Sequence, residues 1–164
     1  MKNSRFRYSA LLLAIIFNSS AIAKGPSKTE FVSGGGFMFA SFGRSIEFSL
    51  DVSQLDPDDP GGSMVADFFS FPGHHVMTME STSLDSVQVI RKQGQVTGTA
   101  IFVDVLTGEE TSADFDVVFV DQSSRKRADT MMLTLFLPSG NETFSGSLFS
   151  GDVEVGESKR RTLN

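Results

Sequence analysis

The chain has 164 residues, 40% hydrophobic and 21% charged, with 14 Lys and Arg against 20 Asp and Glu, for a formal net charge of −6. It contains no cysteine, which excludes a disulfide framework and any cysteine-ligated zinc site, and its acidic balance argues against nucleic acid and anionic lipid as partners. Trp is absent and the one Tyr is Tyr8, so most of the chain lacks the polar-edged rings on which sugar sites are usually built.

The first element is a leader. Lys2, Arg5 and Arg7 precede a short apolar run, Ala10 to Phe17, and Ala21-Ile22-Ala23 supplies the small-x-small pattern of a signal-peptidase site. The run is too short for a bilayer core of about 30 Å. Residues 1–23 are therefore expected to be a cleaved signal peptide, with an N-terminal anchor as the alternative. No cysteine is available for lipidation at the cut. The leader holds three of the basic residues and none of the acidic ones, so the remaining 141 residues carry −9. An exported protein, periplasmic or extracellular and not integral to a membrane, is expected. Its length suits one domain, placed at 24–156, with a flexible polar tail at 157–164.

Strand signals then follow one another. In "FVSGGGFMFASF" three glycines stand before Phe37 and Phe39. Glycine inside a strand marks a bulge, a bend or a close backbone approach. The spacing predicts a first strand that bends at Gly34 to Gly36 and turns Phe37 and Phe39 inward. A phosphate-cradling loop would need a helix start after the glycines, and "FMFASF" is not one. From Ser45 to Ser53, Ile46, Phe48, Leu50 and Val52 alternate with polar residues, the period of a half-buried strand. After the loop "QLDPDDPGG", strands are predicted over 64–71, 76–80, 84–91, 95–106, 113–121, 130–137 and 143–155, separated by turn residues. No amphipathic helix is found. About nine short strands joined by hairpin-length connections predict an all-β antiparallel sandwich or barrel with a Phe- and Met-rich core.

The recurring Ser/Thr-Gly-strand pattern carries a resemblance. Ser33-Gly34-Gly35-Gly36-Phe37, "HVMTMESTSLDSVQV" from His75, "QVTGTAIFV" from Gln95 and "ADTMMLTLF" from Ala128 resemble the small glycine-rich β domains of secreted bacterial proteins of the post-COAP type. The resemblance spans nearly all of the chain after the leader. It implies a fold type and an export context, and it brings no catalytic residue with it. One departure is Phe37, where Trp is expected after the triple glycine.

Chemistry-bearing residues are few. His74 and His75 are the only histidines, so any triad or histidine metal site must use one of them. They are adjacent, and on a strand they would face opposite ways. Both are taken as binding candidates, with two hairpin-tip residues as the plainer reading. Asp56, Asp58 and Asp59, near Asp51, gather hard oxygens in a loop and could hold Ca²⁺, although the spacing is not that of an EF-hand. An acidic solvated turn is the plainer reading there. Asp104, Glu109, Glu110, Asp114 and Asp116 form a second acidic region around a predicted hairpin. Arg125 to Arg127 and Lys159 to Arg161 are short basic runs read as solvated. No residue is assigned a catalytic role, and no cofactor is required beyond the candidate Ca²⁺. The expected function is a non-enzymatic binding or structural accessory domain whose partner is a protein or an apolar small molecule. One alternative is a small barrel enclosing an apolar ligand. The other is a hydrolase using His74 or His75 with nearby acids.

Overall fold

The computed structural model describes residues 28–40, 43–55, 59–122 and 127–159. Residues 1–23, expected to be a signal peptide, Asp56, Asp58, the Arg125-Lys126 pair and residues 160–164 of the expected tail lie outside them. Eight strands follow in chain order: β1 (Lys28–Ala40), β2 (Arg44–Gln54), β3 (Pro60–Ser70), β4 (His74–Ile90), β5 (Gln93–Asp104), β6 (Glu110–Val120), β7 (Thr130–Leu137) and β8 (Gly140–Lys159). Each pairs antiparallel with its chain neighbours, and β8 returns to β1, closing a barrel. The expected all-β antiparallel fold is present, in its barrel form. Among the described residues no helix is long and apolar enough to cross a membrane.

Alternation drives the closure. In β2, Ile46, Phe48, Leu50 and Val52 are buried, while Glu47, Ser49, Asp51 and Ser53 are exposed. The same parity around the ring fills the interior with Phe48, Phe102, Phe115, Phe119, Met38, Met64, Met79 and Met131, among others. Phe48 and Phe119 meet near the axis with ring centroids 5.5 Å apart. Eight strands leave an interior just wide enough for side chains to fill. Glu47, Asp51, Glu80, Asp114 and Glu154 are exposed on the outer face.

The two strands predicted over 76–80 and 84–91 are one 17-residue strand, β4. Thr82 and Asp85 are each an extra residue against β5. One bulge flips the inward parity and the next restores it, so Met79, Leu84, Val87 and Val89 all turn toward the core. This bending takes β4 away from β3, whose pairing with it stops at Val65 and Glu80. Side chains replace the missing ladder. The Val87 N–H donates to the Gln54 carboxamide oxygen, the Val89 N–H to Glu30 Oε2 at 3.1 Å, and the Met64 N–H to Ser81 Oγ at 2.9 Å.

Two expectations change here. Met38, not Phe37 or Phe39, is the inward residue after the glycines: Met38 is fully buried and Phe39 is 61% exposed. Val32, Gly34, Gly36 and Met38 occupy the inward positions, and the glycines contribute no side chain from which that parity could be read. Phe37, Phe39 and Phe149 instead stack edge-on outside, with centroids 5.0 and 5.4 Å apart. Residues 157–159, placed in the tail from sequence, continue β8 and pair with Glu30, Thr29 and Lys28. Lys28 Nζ lies 2.7 Å from Glu157 Oε2.

Candidate functional site

Hairpin connectivity puts the β1–β2, β3–β4, β5–β6 and β7–β8 connections at one end of the barrel, here called the mouth. Two adjoining clefts open there, of about 360 and 410 Å³, and both are lined by Met77, Asp104 and Leu137. Buried Phe68 and Phe144 floor the first, with centroids 5.2 Å apart. Phe102 floors the second. Each comes from the inward face of its strand, near the strand end where the core runs out.

The rim is polar. Arg44 Nη1 lies 2.7 Å from Glu142 Oε2, and its guanidinium carbon stands 5.5 Å from the Phe144 ring centroid. A cation over an aromatic face is favoured by the ring quadrupole. On the other cleft, Asp104 Oδ1 accepts the N–H groups of Thr107 at 2.8 Å and Leu106 at 2.9 Å. These bonds, that from Thr107 foremost, hold the Asp104 carboxyl below its ordinary value and keep it ionised. The Val105 N–H reaches the Val76 carbonyl at 3.1 Å and ties this hairpin to β4. Phe71 and Leu106, on neighbouring rim hairpins, are each 84% exposed.

The histidines sit beside the mouth on β4. His74 is exposed. His75 stacks on Phe69, with centroids 5.1 Å apart and planes 32° from parallel. Its Nε2 lies 3.1 Å from both Asp67 Oδ1 and Thr78 Oγ1, and Thr78 donates to Asp67 at 2.9 Å. A catalytic triad holds the imidazole through one nitrogen and uses the other as the base. Here one nitrogen faces both partners. The Thr78 hydroxyl bridges Asp67 and the same ring nitrogen. This is a closed surface ring of hydrogen bonds on the outer side of β3 and β4.

Asp59 is exposed at the start of β3. Among the described residues no group of three His, Cys, Asp or Glu side chains is placed to hold a metal ion. Of the second acidic region, Asp104 and Glu109 reach the mouth, whereas Asp114 and Asp116 accept bonds from Thr99 and Gln95 along the outer ladder. Asp121 and Asp129, at the opposite end, are the buried carboxylates among the described residues. Lys92 Nζ lies 2.6 Å from Asp121 Oδ2. Asp129 accepts the Gln122 N–H at 2.7 Å and the Val153 N–H at 2.9 Å, pinning the β6–β7 connection to β8.

Reasoning from sequence missed Arg44, Met77, Leu137 and Glu142. They lie on four different strands, and spacing along the chain cannot bring them together. The only available signal was that each stands within a few residues of a turn at the same end of a hairpin series. Compared with family models, curated proteins and solved structures, the chain matches none.

Proposed function

We propose that this protein is an exported, non-enzymatic binding module that seats a small apolar group in the barrel mouth. The observation that carries this reading is the paired cleft floored by Phe68, Phe102 and Phe144, with Met77 and Leu137 common to its two halves. Its volume falls in the range of small-molecule sites, which are apolar cavities with a few placed polar groups. Deeper in the barrel, side chains such as Phe48 and Phe119 occupy the axis, so the seat is the mouth and not the interior. The Thr78 hydroxyl lies on the same His75 nitrogen as Asp67, whereas a triad places nucleophile and acid on opposite nitrogens, and this argues against hydrolysis. Charged residues on the outer face, Glu47, Asp51, Glu80 and Asp114 among them, argue against a lipid-spanning barrel, whose outer band is apolar. The basic, apolar and Ala-x-Ala pattern of residues 1–23 supports export, and the resemblance to secreted glycine-rich β domains accords with it.

The test is methyl NMR with a neutral probe, decyl maltoside below its micelle concentration. Shifts should concentrate on Val76, Met77 and Leu137, and Leu137→Trp, which fills the cleft, should abolish them. Shifts scattered over the outer face, or unaffected by Leu137→Trp, would sink the proposal.

A further inference from the structure

Resting on that reading, we infer that the ligand of the mouth is a cationic amphiphile: an apolar body seated on Phe68, Met77, Leu137 and Phe144, with an ammonium-type head at Asp104 and Glu109. Charge complementarity carries the assignment. The charged side chains lining the two clefts are Asp104, Glu109, Glu142 and Arg44, three carboxylates against one guanidinium. The charges are not evenly spread. Glu142 is neutralised by Arg44 in the cleft floored by Phe144. Asp104 and Glu109 stand together in the adjoining cleft, and no basic residue lines it.

Asp104 is set for this role by its turn. Its Oδ1 takes both backbone amides, which fixes the carboxylate at the rim. Glu109 makes no side-chain hydrogen bond or ion pair among the described residues. The protein already displays the expected binding mode within itself. The Arg44 guanidinium lies over the Phe144 ring and against the Glu142 carboxylate, a cation held between an aromatic face and an acid at the same mouth. Met77 and Leu137 line both clefts, so an apolar chain seated in one can carry a head group into the other.

Isothermal titration calorimetry tests this, since the protein has no Trp for fluorescence. The probes are decyltrimethylammonium and neutral decyl maltoside, each below its micelle concentration. The cation should bind about fivefold to tenfold more tightly, as expected for two carboxylates acting through a wet rim. That ratio should shrink with added salt. Glu109→Gln should lower it, and Glu109→Gln with Asp104→Asn should bring it close to one. Asn keeps the oxygen that accepts the turn amides, and the exposed Glu109→Gln variant can be read alone if the double variant folds poorly. A cation that binds no better than decyl maltoside, or a preference that survives both substitutions, would overturn the inference while leaving the apolar seat intact. If neither probe binds, the apolar seat fails and this inference fails with it.

Discussion

Gly36 on β1 lies directly opposite Gly151 on β8, and neither position has room for a side chain. A methyl on Gly151 would overlap the Gly35 carbonyl and the Gly36 backbone, and its φ of +96° is one that L side chains rarely adopt. The last strand therefore returns to the first at backbone contact, next to the Phe149 bulge. Gly151→Ala should cost about 3 kcal/mol or more, because the colliding atoms are main chain and cannot swing aside. Gly61→Ala, where added bulk meets open space, should change stability by less than about 0.5 kcal/mol. Urea denaturation of both variants checks the pair. Equal losses would mean that the seam relaxes freely.

Asp129 holds two amides from segments far apart in the chain, those of Gln122 and Val153. Asp129→Ala leaves the buried Val153 N–H and the half-buried Gln122 N–H without this acceptor and should destabilise by about 2 to 4 kcal/mol. Asp129→Asn retains one carbonyl acceptor and should lose less than half as much. Chemical denaturation of the two variants side by side gives the comparison, and an Asn variant as unstable as the Ala variant would show that one acceptor oxygen does not serve the site.

Two carboxyls give opposite pH signatures. Asp152 is held above its ordinary value of 3.8, first by its hydrogen bond with Asp129 and then by the Asp129 charge. The folded protein thus grips this proton more tightly than the unfolded chain does. That stability is complete below the ordinary carboxyl value and is lost as pH rises through the raised one. Asp104, held low by the Thr107 and Leu106 amides, behaves in reverse: its contribution is present above 3.8 and is lost as pH falls through the lowered value. In thermal melts from about pH 3 to about pH 7, Asp152→Asn should gain on the parent as pH rises. Asp104→Asn should flatten the acid limb. Parallel curves for parent and variants would contradict both assignments.

The His75 ring of hydrogen bonds lies on the surface and should be worth little. His75→Ala should change stability by less than about 1 kcal/mol, as for other surface side-chain pairs, and His74→Ala by less still. Neither should alter decyl maltoside binding at the mouth. Loss of binding in His75→Ala would draw the β3–β4 outer face into the site.

Much of this molecule was legible in its residues. The alternation of Ile46, Phe48, Leu50 and Val52 set β2 and its buried face, because each side chain's own hydropathy declares which way it points. The absence of amphipathic helices and the regular spacing of turns set an all-β antiparallel domain for the same local reason. Reading failed where local signals fall silent. Gly34 to Gly36 carry no side chain to reveal parity, so Phe37 and Phe39 were turned inward in place of Met38. The bulges at Thr82 and Asp85 broke the period within β4, and one strand read as two.

Hydropathy and turn chemistry act over a few residues, so the sequence by itself determined the strands, the polar outside and the apolar inside. Only the tertiary structure decided that β8 closes on β1, because closure depends on register summed over eight strands and on a backbone contact between glycines more than a hundred residues apart. It also decided the mouth. Arg44, Met77, Asp104, Leu137 and Glu142 belong to five strands, and what unites them is the end of the barrel at which each strand stops or starts.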